Sequence, residues 1–289
     1  MNEHQKFIVE TIKTQVATSP LNRLKNIDGS PIWEDPLVGF VDGDDPVFDL
    51  FKSVVTPEHW MPREALAAKV HEIGGKEGME FPHVGIVSWI LPTAMETKHS
   101  NREMTDGPSL RWNNTRFQGE EFNEALRRLV VRLLEERGFL AESPGISKGF
   151  HRTRGLFGQA SVWSERHIAY AAGLGTFGLS DGLITSKGIA HRCGSVVANV
   201  AWPPSPRPYS NHRQYCLYAM SGSCGACIKR CPAGAIGPNG HDKDRCQQYI
   251  RVSMAEWLKR PGYIGEYLAC GLCQTGVPCE SAIPTPPDK

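Results

Sequence analysis

The stretch that decides the fold is residues 224–236, CGACIKRCPAGAI, where three cysteines follow the pattern Cys-x2-Cys-x3-Cys and a proline follows the third. Five more cysteines stand nearby, at positions 216, 246, 270, 273 and 279. Eight of the nine cysteines therefore lie in the segment from Cys216 to Cys279. Clustered cysteines in a chain without a secretory signal indicate a metal site rather than a set of disulfides.

The Cys-Pro pattern resembles one half of a bacterial-type ferredoxin that carries two 4Fe–4S clusters. In those proteins a tight loop supplies three ligands of one cube, and the cysteine before proline crosses over to the other cube. The resemblance implies one cluster bound by Cys224, Cys227 and Cys279, and a second bound by Cys231, Cys246, Cys270 and Cys273.

One ligand of the first cluster is missing from the loop, because a ferredoxin half would carry a cysteine where Ser221 stands. Cys216 is the nearest candidate, and we expect it to be the fourth ligand. Cys193 is the weaker alternative, since it lies in an apolar strand-like run where a cysteine more often acts as a small buried hydrophobic residue.

A zinc ribbon is the main alternative to iron–sulfur clusters. Its two Cys-x2-Cys pairs are usually about 15–20 residues apart. The gap between Cys227 and Cys270 is far longer, and a ribbon would leave four cysteines and the Cys-Pro signature unexplained. The spacing therefore favours two 4Fe–4S clusters over zinc.

The length and charge of the chain set further limits. Its 289 residues suit one sizeable domain followed by a small one, and we place the boundary in the proline-rich stretch PPSPRPYS, giving domains 1–205 and 206–289. A formal net charge of +1 argues against a large nonspecific nucleic-acid surface. The N-terminus has no signal-peptide or twin-arginine pattern, and no apolar run is long enough for a membrane helix, so we expect a cytoplasmic protein without membrane contact.

Hydrophobic patterning predicts several elements in the first half of the chain. Residues 1–30 form an amphipathic helix followed by a turn. Residues 81–91, FPHVGIVSWIL, form a buried strand because they are rich in β-branched and aromatic side chains. Residues 93–116 are polar without clear periodicity and read as a long functional loop.

The second half of the chain is patterned more clearly. Residues 118–137 form a helix with one apolar face, and Gly138 lies where its C-terminal cap belongs. Residues 143–161 read as a loop, and residues 164–172 as a short helix capped by Ser164. The apolar runs GLITSKGIA and CGSVVANVAW then predict a hairpin or a pair of strands.

The sequence Gly173-Leu-Gly175-Thr-Phe-Gly178 matches the dinucleotide-binding pattern G-x-G-x-x-G. A helix precedes it instead of a strand, and no acid follows about twenty residues later, so we reject that interpretation. The three glycines still predict positive φ angles or a close approach of the backbone to a bulky ligand.

A resemblance emerges from the combination of this loop and the cysteines. Residues 164–197, SERHIAYAAGLGTFGLSDGLITSKGIAHRCGSVV, resemble the epoxyqueuosine reductases and the related corrinoid reductive dehalogenases. The resemblance implies an α/β (α+β) fold, with a nitroreductase-like catalytic domain that binds cobalamin base-off and a ferredoxin-like domain that passes electrons through two 4Fe–4S clusters. It implies cobalamin contacts from Gly173, Leu174, Gly175, Thr176, Phe177 and Gly178.

The chain departs from epoxyqueuosine reductases at the proton donor. Those enzymes carry an acid some fourteen positions before the glycine of A-G-L-G, and this chain has Gln159 there. Gln159 remains a candidate site residue, while Tyr170 or His167 could donate the proton. The departure weighs against tRNA as the substrate, although tRNA stays a possible partner.

We therefore predict a cytosolic oxidoreductase that receives electrons from a donor such as ferredoxin or flavodoxin and reduces a small organic substrate or a modified nucleoside. An alternative is an electron-transfer or reductive activator protein for a partner corrinoid protein. A third function class is a corrinoid carrier that holds the cofactor without using it.

Overall fold

Long helices and strands make up the first two hundred residues, and short elements make up the cysteine segment, residues 216–279. The computed structural model describes residues 1–75 and 78–286. The helices are α1 (Glu3–Thr18), α2 (Val47–Val54), α3 (Pro62–Glu72), α4 (Met95–Arg102), α5 (Leu110–Glu135), α6 (Glu165–Ala171), α7 (Leu217–Ser221), α8 (Ala226–Lys229) and α9 (Lys243–Gln248). The strands are β1 (Leu37–Asp42), β2 (Gly85–Pro92), β3 (Ala141–Glu142), β4 (Arg152–Gly155), β5 (Gly158–Ser161), β6 (Gly175–Phe177), β7 (Leu183–Thr185), β8 (His191–Ala198), β9 (Ile236–Gly237) and β10 (Gly240–His241). Short 3-10 helices span Pro144–Ile146 and Ala255–Lys259, and a π-helical turn spans Tyr249–Ser253.

The centre of the fold is a four-stranded antiparallel sheet with the order β1-β2-β8-β3. All eight residues of β2 are buried, which fits the predicted buried strand. Val87, Trp89 and Leu91 pack with α1 and α5, whereas Ile86 packs with α2, α3 and α6. Helices therefore cover both faces of the sheet, and β2 reads as a continuous apolar run for that reason.

Helix α5 confirms the predicted apolar face. Phe122, Leu126, Val130 and Leu134, spaced four residues apart, are buried against the sheet. Gly138 follows the helix with a φ of 81°, a left-handed conformation that glycine adopts without strain. Asn123 on the same helix accepts from the Trp89 indole over 2.9 Å and so joins α5 to the central strand.

The prediction of a long loop over residues 93–116 was wrong. This stretch contains α4 and the first two turns of α5. Its polar side chains are buried because they bind irregular backbone of the cysteine segment. Asn101 donates to the Cys270 carbonyl over 3.2 Å, Asn113 to the Ile264 carbonyl over 3.1 Å, and Asn114 to the Gly262 carbonyl over 3.0 Å. Polar partners of this kind leave no apolar periodicity in the sequence.

Two other predictions need correction. Residues 152–161 form a hairpin, β4–β5, within the stretch predicted to be a loop. The strands β7 and β8 do not pair with each other: β7 pairs with β6, and β8 lies in the central sheet between β2 and β3. Both runs were correctly predicted as strands, but apolar content alone does not specify the partner strand.

The end of the cysteine segment is attached to the first two hundred residues. The Ile189 amide donates to the Cys279 carbonyl over 2.8 Å, and the Ala190 amide donates to the Glu280 carbonyl over 3.3 Å. Arg102 forms a salt bridge with the buried Glu280 carboxylate. Residues 203–208, between the two parts, contain no helix or strand.

The predicted mixed α/β (α+β) fold class is confirmed by this arrangement of helices around antiparallel sheets. Within the described parts of the chain, no helix combines the length and the apolar character needed to cross a bilayer.

Candidate functional site

Several cysteines of the cysteine segment pack in one apolar cluster, and four of them line a common pocket, so we describe the eight as two adjoining groups. Burial, followed by the charges of Cys227, Cys216 and Cys224, raises the pKa of the Cys279 thiol to about 12. Burial, followed by Cys216 and Cys224, raises the pKa of Cys227 to about 11. These four cysteines form what we call group A, and they line a pocket with apolar walls that include Leu179, Ile184, Ile189 and Val277.

Group B comprises the other four cysteines, Cys231, Cys246, Cys270 and Cys273. Burial raises the pKa of Cys270 to about 12, and the charges of Cys246 and Cys231 act in the same direction. A backbone hydrogen bond from Leu272 opposes this rise. Burial and the charges of Cys270, Cys246 and Cys231 raise the pKa of Cys273 well above its usual value. Cys227 of group A also acts on Cys273, so the two groups adjoin.

The arrangement of these thiols bears on the kind of metal group that they could hold. All nine cysteines are free thiols. In residues 1–75 and 78–286 no three His, Cys, Asp or Glu side chains converge as ligands of a single metal ion. A 4Fe–4S cube takes its four thiolates on separate iron atoms, so its ligands surround a volume and do not meet at one point. The Ala235 amide donates to the Cys231 sulfur over 3.3 Å, and backbone donors of this kind orient the thiolate ligands of metal sites.

Cys193, the weaker alternative ligand, lies in neither group. It is on β8 in the central sheet, in contact with buried Ile90, Ala169 and Leu183. Burial, followed by the charge of Glu165, raises the pKa of its thiol to about 12. Its position is that of a small buried hydrophobic residue.

Helix α5 holds the cysteine segment through aromatic side chains that rest on glycines. A side chain at Gly271, between Cys270 and Cys273, would meet the Trp112 ring at 2.0 Å. A side chain at Gly265 would meet the Phe117 ring at 2.0 Å. Both glycines also have positive φ angles, 66° and 92°, so substitution at either position would be strained twice over.

The glycine loop, residues 173–178, is packed against the protein itself. A Cβ atom at Gly173 would lie 2.2 Å from the Pro206 carbonyl oxygen, and one at Gly175 would lie 2.3 Å from the Ile184 carbonyl oxygen. Of the three glycines only Gly173 has a positive φ, 80°. Close approach of backbone to backbone accounts for Gly173 and Gly175, whereas a Cβ atom at Gly178 would meet the Ile184 and Ile189 side chains at an ordinary 3.4 Å.

The other residues of the loop point to the same conclusion. Thr176 is fully buried, and its hydroxyl accepts from the Tyr215 amide over 2.9 Å. Leu174 packs in the core beside Gly39 of β1. Phe177 is half-buried and is the loop residue in contact with the candidate proton donors. Cobalamin contacts from residues 173–178 remain a prediction.

The candidate catalytic residues fall into two places. His167 and Tyr170 on α6 both contact the Phe177 ring, with centroid distances of 4.6 Å and 5.8 Å. Gln159 on β5 instead donates to Asp244 of α9 over 3.5 Å. Burial lowers the pKa of His167 to about 3, so the imidazole is neutral near pH 7 and would be a poor proton reservoir. Their catalytic roles remain predictions.

A charged group that was not predicted from the sequence lies between the glycine loop and group B. Asp181, with an unusual φ of 58°, lies 3.6 Å from the His241 imidazole and 3.8 Å from the Lys243 ammonium. Burial opposes protonation of His241, but the neighbouring Asp181 carboxylate and Cys246 sulfur prevail and raise its pKa to about 9. The Ser-Asp-Gly turn at 180–182 was the available signal, because aspartate tolerates left-handed backbone better than most residues.

Two buried histidines beside the site predict a loss of stability in acid. Burial lowers the pKa of His59 to about 4 and that of His167 to about 3, against about 6.5 in an unfolded chain. Below pH 6.5 the unfolded chain therefore binds protons that the folded chain does not, so the free energy of unfolding falls as the pH is lowered towards 4. We expect a loss of about 1.4 kcal/mol per pH unit for each histidine in that window.

Urea unfolding at pH values from 7 to 4.5 would measure this loss, with His59→Gln expected to give a shallower slope than the wild type. His83→Gln, at an exposed position in the same part of the chain, should leave the slope unchanged. A wild-type midpoint that stays constant over this pH range would contradict the prediction.

No protein-family model matches the chain, and no curated protein matches it. A selenomethionine-labelled epoxyqueuosine reductase structure is similar to it with a TM-score of 0.50 and 16% identity, covering 98% of this chain and 70% of that one. The Streptococcus thermophilus epoxyqueuosine reductase has a TM-score of 0.48 and 15% identity, covering 100% of this chain and 69% of that one.

An epoxyqueuosine reductase structure with a tRNA-Tyr epoxyqueuosine-modified stem loop has a TM-score of 0.46 and 16% identity, covering 96% of this chain and 65% of that one. This chain thus spans about two thirds of the length of the structures it matches. At such low identity the likeness concerns the fold alone. At that level the resemblance found in the sequence is confirmed: nearly the whole chain has the fold of an epoxyqueuosine reductase.

Proposed function

We propose that this chain is a cytoplasmic iron–sulfur oxidoreductase in which groups A and B each hold one 4Fe–4S cluster. The observation that carries the proposal is the composition of the two groups. Cys216, Cys224 and Cys227 of group A line one pocket with Cys279 from the far end of the segment, and Cys231 and Cys273 of group B pack beside them. Such crossing of ligands between two adjoining sites is the pattern of two-cluster ferredoxins.

The protein's own part in this function is to hold eight thiolates close together. Burial and mutual repulsion keep several of the thiols protonated, so loading the sites must release protons. When bound, the clusters supply one-electron transfer between neighbouring sites. We propose the division into residues 1–205 and 206–289 as the division between a substrate domain and this electron-transfer domain.

The cobalamin part of the proposal rests on the fold shared with an epoxyqueuosine reductase. Base-off cobalamin would supply the reducing chemistry when bound, with residues 173–178 as its predicted contacts, and we assign no residue a step through that cofactor. One related structure contains a modified tRNA stem loop. Because Gln159 replaces the expected acid and the chain is nearly neutral, we propose a small organic molecule or free modified nucleoside as the substrate of this chain.

The close packing of the glycine loop favours one alternative function. A chain that holds two clusters without a corrinoid would act as an electron-transfer protein or a reductive activator of a partner corrinoid protein. Tight packing of Gly173 and Gly175 against carbonyl oxygens of the same chain is what such a protein would show.

Metal analysis of protein purified without oxygen and with cobalamin supplied would test the proposal. We expect about eight iron atoms per chain, with the EPR spectrum of reduced 4Fe–4S clusters and one equivalent of base-off cobalt. About eight iron atoms without retained cobalt would favour the activator function. Clearly fewer than eight iron atoms after reconstitution, or zinc in their place, would overturn the cluster assignment.

A further inference from the structure

A tyrosine at the junction of α5 and the cysteine segment is surrounded by arginines. Arg116 on α5 donates from Nη2 to the Tyr267 hydroxyl over 2.7 Å, and its guanidinium carbon lies 5.5 Å from the centroid of the Tyr267 ring. The guanidinium carbon of Arg251, on the π-helical turn, lies 4.8 Å from the same centroid. Two cations from separate elements therefore share one aromatic ring.

The charge of a third arginine, Arg152 on the β4–β5 hairpin, also acts on this tyrosine. Burial alone would raise the pKa of Tyr267, but the charge of Arg116, followed by Arg152 and the charge of Arg192, holds it below its usual value. Arg152 lies on the hairpin that also carries Gln159. The arginine cluster, Arg116, Arg152 and Arg251, thus stands beside a residue predicted from sequence to lie at the active site.

The carboxylates nearby are already occupied by other arginines. Glu120 lies 2.8 Å from Arg127 and 3.1 Å from Arg192, but 3.8 Å from Arg116. In the parts of the chain that the structure describes, Arg152 and Arg251 have no carboxylate within 4.0 Å. Arg154, two residues along β4, is different because it pairs with Asp244 over 2.6 Å.

An excess of positive charge at one place disfavours the folded state unless something offsets it. A single arginine would be enough to anchor Tyr267 by a hydrogen bond and a cation–π contact. Arg116 at the hydroxyl and Arg251 over the ring offer more N–H donors than Tyr267 can accept, and guanidinium groups bind phosphate and carboxylate through paired hydrogen bonds.

We propose that the arginine cluster around Tyr267 is a binding site for an oxyanion, a phosphate monoester or a carboxylate carried by a small molecule. The site itself needs no iron or cobalt. The identification of this small molecule as the substrate rests on the proposed function. The anion site then narrows the proposed substrate class to anionic compounds. A tyrosine that accepts from Arg116 and contacts Arg251 would orient the donors towards the bound anion.

Calorimetric titration of the cluster-loaded full chain with inorganic phosphate tests the site directly, and malonate serves as a carboxylate probe. We expect one saturable site for at least one of the two probes. Arg116→Gln and Arg251→Gln should each weaken the binding by about tenfold or more, equivalent to about 1.4 kcal/mol. Arg128→Gln is the matched control, since Arg128 is on the same helix but pairs with Glu124 on an exposed face, and its binding should be unchanged.

Several outcomes would overturn the proposal. The first is the absence of saturable binding. The second is binding by the Arg116→Gln and Arg251→Gln variants that equals that of the wild type. The third is tighter binding of diethyl phosphate than of phosphate, which would indicate a nucleic-acid backbone as the ligand. Because Arg251 is exposed, its variant keeps the test valid if Arg116→Gln fails to fold. Phosphate binding in a protein that retains no clusters would refute the proposed function and leave the anion site standing. Protein that holds its clusters but does not bind phosphate or malonate would refute the anion site and leave the proposed function standing.

Discussion

Replacement of Cys216 by alanine is expected to lower the iron content of anaerobically reconstituted protein from about eight to about four atoms per chain. Cys216 is buried and lies in group A with Cys224, Cys227 and Cys279. Without its thiolate the first cube would lack a ligand, while group B would keep all four. Iron analysis, together with the intensity of the reduced-cluster EPR signal, would measure the loss.

Cys193→Ala is the matched control for this experiment. Cys193 is also buried, but it belongs to the central sheet and contacts neither group. We expect the Cys193 variant to retain about eight iron atoms. Loss of iron in the Cys193 variant, with full retention in the Cys216 variant, would show that Cys193, and not Cys216, is the fourth ligand of the first cluster.

Substitution of Arg127 is expected to cause the largest loss of folding stability. Only 4% of its side chain is exposed, and it lies 2.8 Å from Glu120 and 3.2 Å from Glu165. Arg127→Met would leave buried carboxylates without this partner, and removing one member of a buried ion pair typically costs about 3–5 kcal/mol. Urea unfolding at pH 7 would measure the change in the free energy of unfolding.

Arg128→Met provides the comparison, because 64% of the Arg128 side chain is exposed and surface ion pairs contribute at most about 1 kcal/mol. The double variant Arg127→Met with Glu165→Leu should recover part of the loss, since it removes a buried carboxylate together with its partner. Equal destabilisation by Arg127→Met and Arg128→Met would mean that the buried network contributes little.

The cysteine spacing was the most informative part of the sequence. Cys216, Cys224, Cys227 and Cys279 line one pocket in the structure, and Cys231 and Cys273 pack beside them, while the division into two sets of four ligands stays a prediction. Helix α5 and the buried strand β2 were also predictable, because each buries an apolar face whose period can be read directly.

The features missed in the sequence depend on partners far away in the chain. Asn101 and Asn114 are buried in helices because their amides donate to the Cys270 and Gly262 carbonyls and to the Thr275 hydroxyl. Nothing in the sequence around either asparagine indicates these distant partners. The arginine cluster joins positions 116, 152 and 251 around Tyr267, so no window of sequence contains it. The glycines of residues 173–178 were noticed, but sequence could not distinguish packing on the chain itself from packing on a ligand.

The attachment of Cys279 and Glu280 to Ile189, Ala190 and Arg102 has a consequence for limited proteolysis. The stretch 203–208 has no regular structure and joins the two parts, so a cut within it is the cut that would divide the chain between them. A cut there would sever one covalent bond and leave these contacts, and those of Asn101, Asn113 and Asn114, intact. The two fragments would separate on a denaturing gel yet migrate together under native conditions.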